Sequence, residues 1–256
     1  MRLIRLDIEY DGTNYCGWQI QSHRVTRSEG HKRTIQETIE RALRRILQER
    51  VRVIGSGRTD AGVHAFCQTA HFKTNSAIPV EGLQKALNAL LPQDIAVLTA
   101  KEEKSSFHSR FGAVSKVYRY TILNRSCRSA LLAKRAYFCP WQLDIALMKS
   151  EAEALLGRHD FSSFRASGSA NKDAVRTIRR VAVAQKGRLL HIDIEADGFL
   201  YNMVRIIVGT LIDIGRGKLP AGSMKRILKA RDRKKAGFTA PPEGLYLVKV
   251  KYQISN

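Results

Sequence analysis

The chain has 256 residues, 44% of them hydrophobic, enough to bury a sizeable core and to exclude disorder as its ground state. Lys and Arg total 44 against 23 Asp and Glu, a net charge of +21 that points to a polyanionic partner such as RNA, DNA or an anionic membrane surface. No apolar run is long enough to span a bilayer, charges interrupt the N-terminus where a signal peptide is apolar, and the four cysteines form no C-x-x-C pair, so the composition reads as cytoplasmic, without zinc or a disulfide framework.

Residues 3–10 alternate, with Ile4, Leu6, Ile8 and Tyr10 on one face and Arg5, Asp7 and Glu9 on the other, which predicts a half-buried strand. Asp11-Gly12 turns the chain. Residues 13–33 lack periodicity and carry Arg24, Arg27, Lys32 and Arg33, a basic loop. Tyr15 and Trp18 in it suit either stacking on bases or burying an edge. Thr34-x-x-Glu37 is a capping box. The helix after it is expected to bury Ile35, Ile39, Leu43, Ile46 and Leu47 and to expose Arg41, Arg44 and Arg45. A strand at 51–54 leads into Gly55-Ser56-Gly57-Arg58-Thr59-Asp60-Ala61-Gly62-Val63-His64-Ala65, and a second strand runs on to Phe72. Pro79 opens a helix with Leu83, Leu87, Leu90 and Leu91 on one stripe, Pro92 closes it, and residues 94–99 form another strand. The order is β-α-β-β-α-β.

The charged, small-residue stretch Lys101 to Ser106 reads as a boundary, dividing the chain into domains 1–104 and 105–256. In the second half a strand over 113–123 places Tyr118, Tyr120 and Ile122 on one face. A helix over about 144–156 is closed by Gly157, and a polar loop covers 158–173. Strands at 175–184 and 189–195 flank Lys186-Gly187. An apolar helix at about 200–214, a short basic helix at about 223–231 and a strand at 245–252 complete the chain. Both halves thus follow the split βαβ, or ferredoxin-like, plan. The expected fold is α+β: two βαββαβ halves whose antiparallel or mixed sheets join edge to edge and leave a cleft on one face.

Three places carry candidate chemistry. The loop at 55–65 holds glycines, which allow close backbone approach, and presents Arg58 and Asp60 two residues apart. It suits a tight turn with a local ion pair or a catalytic carboxylate acting as nucleophile or base. Arg205 is the one cation in an apolar helix, where it must either reach the surface or find a partner. Ser115-Lys116-Val117-Tyr118-Arg119-Tyr120 puts two cations and two tyrosines on one strand, a pattern for RNA or for an ordinary core. His159 and Asp160 are too few for a metal site and suit local capping.

Arg58-Thr59-Asp60-Ala61-Gly62-Val63-His64-Ala65 resembles the signature of the tRNA pseudouridine synthase A (TruA) family. Supporting matches extend along the chain. They are Tyr10-Asp11-Gly12-Thr13-x-Tyr15-x-Gly17-Trp18-Gln19, Lys116-x-Tyr118-x-Tyr120, Gly157 to Phe164, Phe199-Leu200-Tyr201-Asn202-Met203-Val204-Arg205 and Gly244 to Leu247. Ser22 to Lys32 matches no motif. The resemblance implies two ferredoxin-like units forming one sheet with a basic cleft, and isomerisation of uridine to pseudouridine in the anticodon stem-loop of tRNA, roughly at nucleotides 38 to 40, on a base taken out of its stack. It implies Asp60 as nucleophile or base, serving attack at C1′, attack at C6 or removal of the 2′ proton. It further implies that Arg58 displaces the base and holds phosphate, that Arg205 orients Asp60, and that Tyr118 stacks on the uracil. His64, Lys116 and Asn202 are expected to bind substrate. The partners implied are tRNA and a second copy in a homodimer, with no membrane, no metal and no cofactor, since neither redox change nor group transfer occurs.

Two other readings are compatible with a basic α+β chain. A non-catalytic pair of RRM-like units would carry the aromatic RNP string, which is absent from this sequence. A two-metal nuclease would need clustered carboxylates, and the glycine loop offers one. Lys and Arg cluster at Arg24 to Arg33, Arg41 to Arg52, Arg176 to Arg188 and Lys225 to Lys235, as expected for binding to phosphates.

Overall fold

A computed structural model describes residues 1–20, 33–168 and 173–253 of the chain. The basic segment expected at 22–33 therefore lies outside the described residues, except for Arg33. The chain divides into two compact units, one of Met1–Val114 with Tyr246–Asn256 and one of Ser115–Leu245.

The first unit is built on β1 (Arg2–Tyr10). It pairs antiparallel with β3 (His64–Thr74) on one side and with β4 (Ile95–Glu103) on the other. The alternation in β1 works as expected: Ile4, Leu6, Ile8 and Tyr10 are buried while Glu9 is exposed. The two-residue β2 (Ile54–Gly55) pairs with β3 at Ile54↔His71 and Gly55↔Ala70. The last strand, β10 (Leu245–Tyr252), lies parallel to β3 at Tyr246↔His64 and Leu247↔Ala65. Helix α1 (Ile35–Leu47) begins where Thr34 accepts a hydrogen bond from the Glu37 amide, and it buries Ile35, Ile39 and Leu43. Helix α2 (Val80–Leu90) buries Leu83 and Leu87. Leu90, expected on that stripe, is exposed, and Leu91 beyond the helix end is buried instead. Each fully buried aliphatic side chain contributes roughly 1.5–3 kcal/mol.

The boundary differs from the expected one at residue 104. Residues 101–103 do not form a linker; they are the end of β4, where Arg5 faces Lys101 and Ile4 faces Glu102. Their charges make cross-strand ion pairs, Arg2 with Glu102 at 2.8 Å and Arg5 with Glu103 at 3.7 Å. Residues 105–112 stay with the same unit. Ser109 is bonded to His71 on β3 and its carbonyl accepts the Tyr252 hydroxyl from β10, 2.7 Å away.

In the second unit β5 (Ala113–Asn124), β9 (Leu189–Ala196), β8 (Val175–Lys186) and β7 (Gly157–Asp160) form antiparallel neighbours in that order. The short β6 (Tyr137–Cys139) runs parallel to β5. Helix α3 (Ile145–Glu153) ends before Gly157, which has φ +95° and opens β7 rather than closing the helix. Part of the expected polar loop is thus strand. The Asp160 carboxylate caps the next turn, accepting from the amide and hydroxyl of Ser162 at 2.9 and 2.6 Å. In α4 (Met203–Gly215) every residue except Arg205 is buried, and α5 (Ser223–Ala230) follows. The fold is α+β.

Candidate active site

Asp60 stands on the loop between β2 and β3, and that loop is fixed at nearly every second residue. The Ser56 amide bonds Thr69 O at 2.8 Å. The Gln68 side-chain amide donates to Gly57 O at 2.8 Å and its oxygen accepts from Gly57 N at 3.4 Å. Thr59 is buried; its hydroxyl meets Tyr10 Oη at 2.8 Å, and its carbonyl accepts the Trp18 amide at 3.0 Å. Val63 N closes the turn on Asp60 O at 3.2 Å. With the backbone so held, Thr59 points inward, Arg58 outward into solvent, and Asp60 is half-buried between them.

The N-terminal segment is wedged against this loop. Gly17 has φ +85°, and a Cβ there would lie 2.4 Å from Thr59 O, so only glycine permits the approach. A Cβ on Gly55 would lie 2.5 Å from the Trp18 ring. Trp18 and Tyr15 are therefore core residues, not platforms for bases, and the Tyr15 hydroxyl donates to Asp94. Burial pushes the Tyr10 phenol well above its usual range, so it stays neutral beside Thr59.

His64, at the start of β3, is 2% exposed. Its Nδ1 accepts from Gly12 N at 3.1 Å, lies 3.1 Å from an Asp11 carboxylate oxygen, and its ring stacks on Tyr246 at 4.7 Å. So enclosed a ring props the loop from behind. Tyr246 in turn stacks on the exposed Phe66 at 4.8 Å.

In the second unit Lys116, Tyr118 and Tyr120 alternate along β5 opposite Ala196, Ile194 and Ile192. The two tyrosines divide their duties. Tyr120 is fully buried and its hydroxyl donates to Pro241 O at 2.8 Å. Tyr118 keeps 7% exposure and meets Phe199 edge-on at 5.0 Å. Phe199 leads to Asn202, which adopts a left-handed conformation (φ +59°) as the first cap of α4. Arg205, one turn into that helix, is half-buried. Its Nη1 donates to Asn202 Oδ1 at 2.9 Å and its Nε to Ala240 O at 2.7 Å, while its own carbonyl accepts Ala240 N at 3.0 Å. The guanidinium is thereby locked in one orientation and does not snorkel.

The structure thus gathers Arg58, Asp60 and His64 in the first unit, and Tyr118, Asn202 and Arg205 in the second. Gln68, which fixes the loop backbone, and Ala240, which accepts from Arg205, do not stand out in the sequence. Gln68 carries no local signal, because its partner is a loop eleven residues earlier.

The chain matches the model of a family described as tRNA pseudouridine synthase over residues 8–112 and 152–253. It is 49% identical over 252 residues to the tRNA pseudouridine synthase A of Acetivibrio thermocellus, covering 98% of this chain and 100% of that protein. It is 47% identical over 252 residues to that of Thermoanaerobacter pseudethanolicus, with the same two coverages. It is 48% identical over 254 residues to that of Citrifermentans bemidjiense, covering 99% of this chain and 98% of that protein.

Proposed function

The chain belongs to the tRNA pseudouridine synthase A family, isomerases that make pseudouridine in tRNA, and from that premise we propose that it acts on anticodon stem-loop uridines with Asp60 as its catalytic carboxylate. The observation that carries this reading is the anchoring of the Asp60 loop, held through Gln68, Tyr10, Trp18 and Thr69. A carboxylate on so fixed a backbone is pre-positioned for attack or proton removal.

The reaction breaks the N1–C1′ bond of uridine, turns the uracil and forms the C5–C1′ bond. N1 ends protonated and C5 loses its proton, so the conversion balances within one nucleotide and requires no cofactor. Arg58, exposed on the same loop, displaces the target base and holds phosphate. Arg205, itself held by Asn202 and Ala240, serves to orient Asp60. Tyr118 stacks on the uracil, Lys116 two residues away on β5 holds phosphate, and His64 supports the loop. The enzyme works in the cytoplasm as a homodimer, the commonest closed symmetry for a soluble oligomer.

The test is tritium release from C5-labelled uridine in tRNA with EDTA present. Release in the presence of chelator, mapped to the anticodon arm, is the expected result. Absence of release with a folded protein and intact tRNA would sink the proposal.

A further inference from the structure

The exposed side of α1 ends in a groove of about 550 Å³ lined by Arg41, Arg44, Arg45, Gln48, Glu49 and Arg50. Four arginines converge on it, and few of their charges are spent. Arg41 pairs with Glu37 at 3.4 Å, whereas the side chains of Arg44, Arg45 and Arg50 make no ion pair among the described residues. Glu49, the one acid among the described lining residues, is turned to the end of β3, where its carboxylate accepts from the Thr74 hydroxyl and the Asn75 amide. Gln48 ends the helix in a left-handed conformation and returns bonds to Arg44 O and Arg45 O at 3.1 and 2.8 Å. The wall of the groove is therefore rigid while its cations are open to solvent.

Helix polarity accounts for part of this, because cations are favoured in a last turn. It explains Arg44 and Arg45 but not Arg50, which lies beyond the helix, or Arg41, a turn earlier. Like charges so close repel one another, and an anion relieves that repulsion. The site is also separate from the Asp60 loop. The first turn of α1 is tied to the segment that braces the loop, through Ile35 N to Gly17 O and Gln36 N to Trp18 O. The arginine groove sits at the opposite end of the helix, about 18 Å further on at about 1.5 Å per residue.

We propose that this groove is a phosphate-binding exosite that holds the backbone of the substrate RNA away from the target base. The inference rests on the enzyme acting on tRNA. The ligand is the phosphodiester backbone, read for its charge and not its sequence, since no ring among the described residues lines the groove.

The test compares wild type with a triple variant, Arg44→Gln, Arg45→Gln and Arg50→Gln, on full-length tRNA. Substrate KM is expected to rise about tenfold at physiological salt with kcat unchanged within about twofold, because the reacting centre is untouched. The slope of log K against log salt should become shallower by about two to three, at about 0.7–0.9 for each phosphate no longer neutralised. The triple change to Lys keeps the charge and should stay within about threefold of wild type in KM. If the triple variant folds poorly, Arg45→Gln alone should still change the slope by about one. Wild-type KM and salt slope in the Gln variants would overturn the exosite, as would a Lys variant as weak as the Gln variant. Either result leaves wild-type tritium release intact, whereas failure of the enzymatic reading would abolish that release itself.

Discussion

The Tyr10 hydroxyl lies 2.8 Å from Thr59 Oγ1, in the core of the first unit and one residue before Asp60. Strand β1 thus grips the Asp60 loop at its buried point. Tyr10→Phe leaves the Thr59 hydroxyl without that partner, at a cost of about 1–3 kcal/mol. The loop should loosen, so kcat should fall several-fold while tRNA binding holds. A double cycle with Thr59→Val reads the coupling in melting temperature and kcat together. Independent effects would mean that the bond does not transmit to Asp60.

Asp60→Asn removes the charge and keeps the shape. Turnover should fall below detection while tRNA binding stays within about tenfold, since phosphate contacts dominate affinity. Residual turnover above a few per cent would exclude Asp60 from the chemistry. Arg205→Met should also cost stability, because it strands Ala240 O and Asn202 Oδ1; each charged hydrogen bond so removed is worth about 1.5–3 kcal/mol. If Arg205 serves Asp60, the two changes together are less than additive in stability.

Tyr118→Phe retains the edge-on packing with Phe199 and removes only the hydroxyl. Binding should be almost unchanged and turnover lower. Tyr118→Ala should weaken tRNA binding as well, by about 1–3 kcal/mol if the ring stacks on a base. Normal binding and turnover by the Ala variant would make the ring ordinary packing.

His71 supplies a pH dependence. Burial, with His108 and Lys73 nearby, pushes its imidazole down to about 4. Its Nδ1 lies 2.8 Å from the Ser109 hydroxyl oxygen, which donates to Ile54 O at 2.7 Å, and burial keeps the folded ring neutral near pH 7. Below the ordinary histidine pKa the unfolded chain therefore binds a proton that the folded chain refuses. Stability is full above that value and declines as the pH falls towards 4, by roughly 2–3 kcal/mol. His71→Asn, which keeps an acceptor and cannot titrate, should flatten the dependence of melting temperature on pH over that window. A wild-type slope in the variant would assign the dependence elsewhere.

Elements whose signal is local were legible in the sequence. The alternation of β1, the Thr34 cap and the apolar run of α4 could all be read in order. The glycine loop could be located, but not what holds it. Tyr15 and Trp18 have the same composition whether they face RNA or a core, and only the approach of Gly17 and Gly55 decides it. Lys101 to Glu103 look like a linker because cross-strand partners at Arg2 and Arg5 are a hundred residues away. His64 sits in the loop motif, yet its enclosure depends on Tyr246, near the other end of the chain.

Residues Ser115–Leu245 are inserted between the parts of the first unit, and Tyr246–Asn256 return to it. On a ribosome, β10 emerges only after about 130 further residues, a delay of roughly ten seconds at about 5–20 residues per second. Until then His64 lacks the ring stacked against it, and β3 lacks its parallel neighbour. A nascent chain can already display Asp60 while the prop behind the loop is missing. A chain stalled before Tyr246 would keep the loop but lack both of these supports behind it.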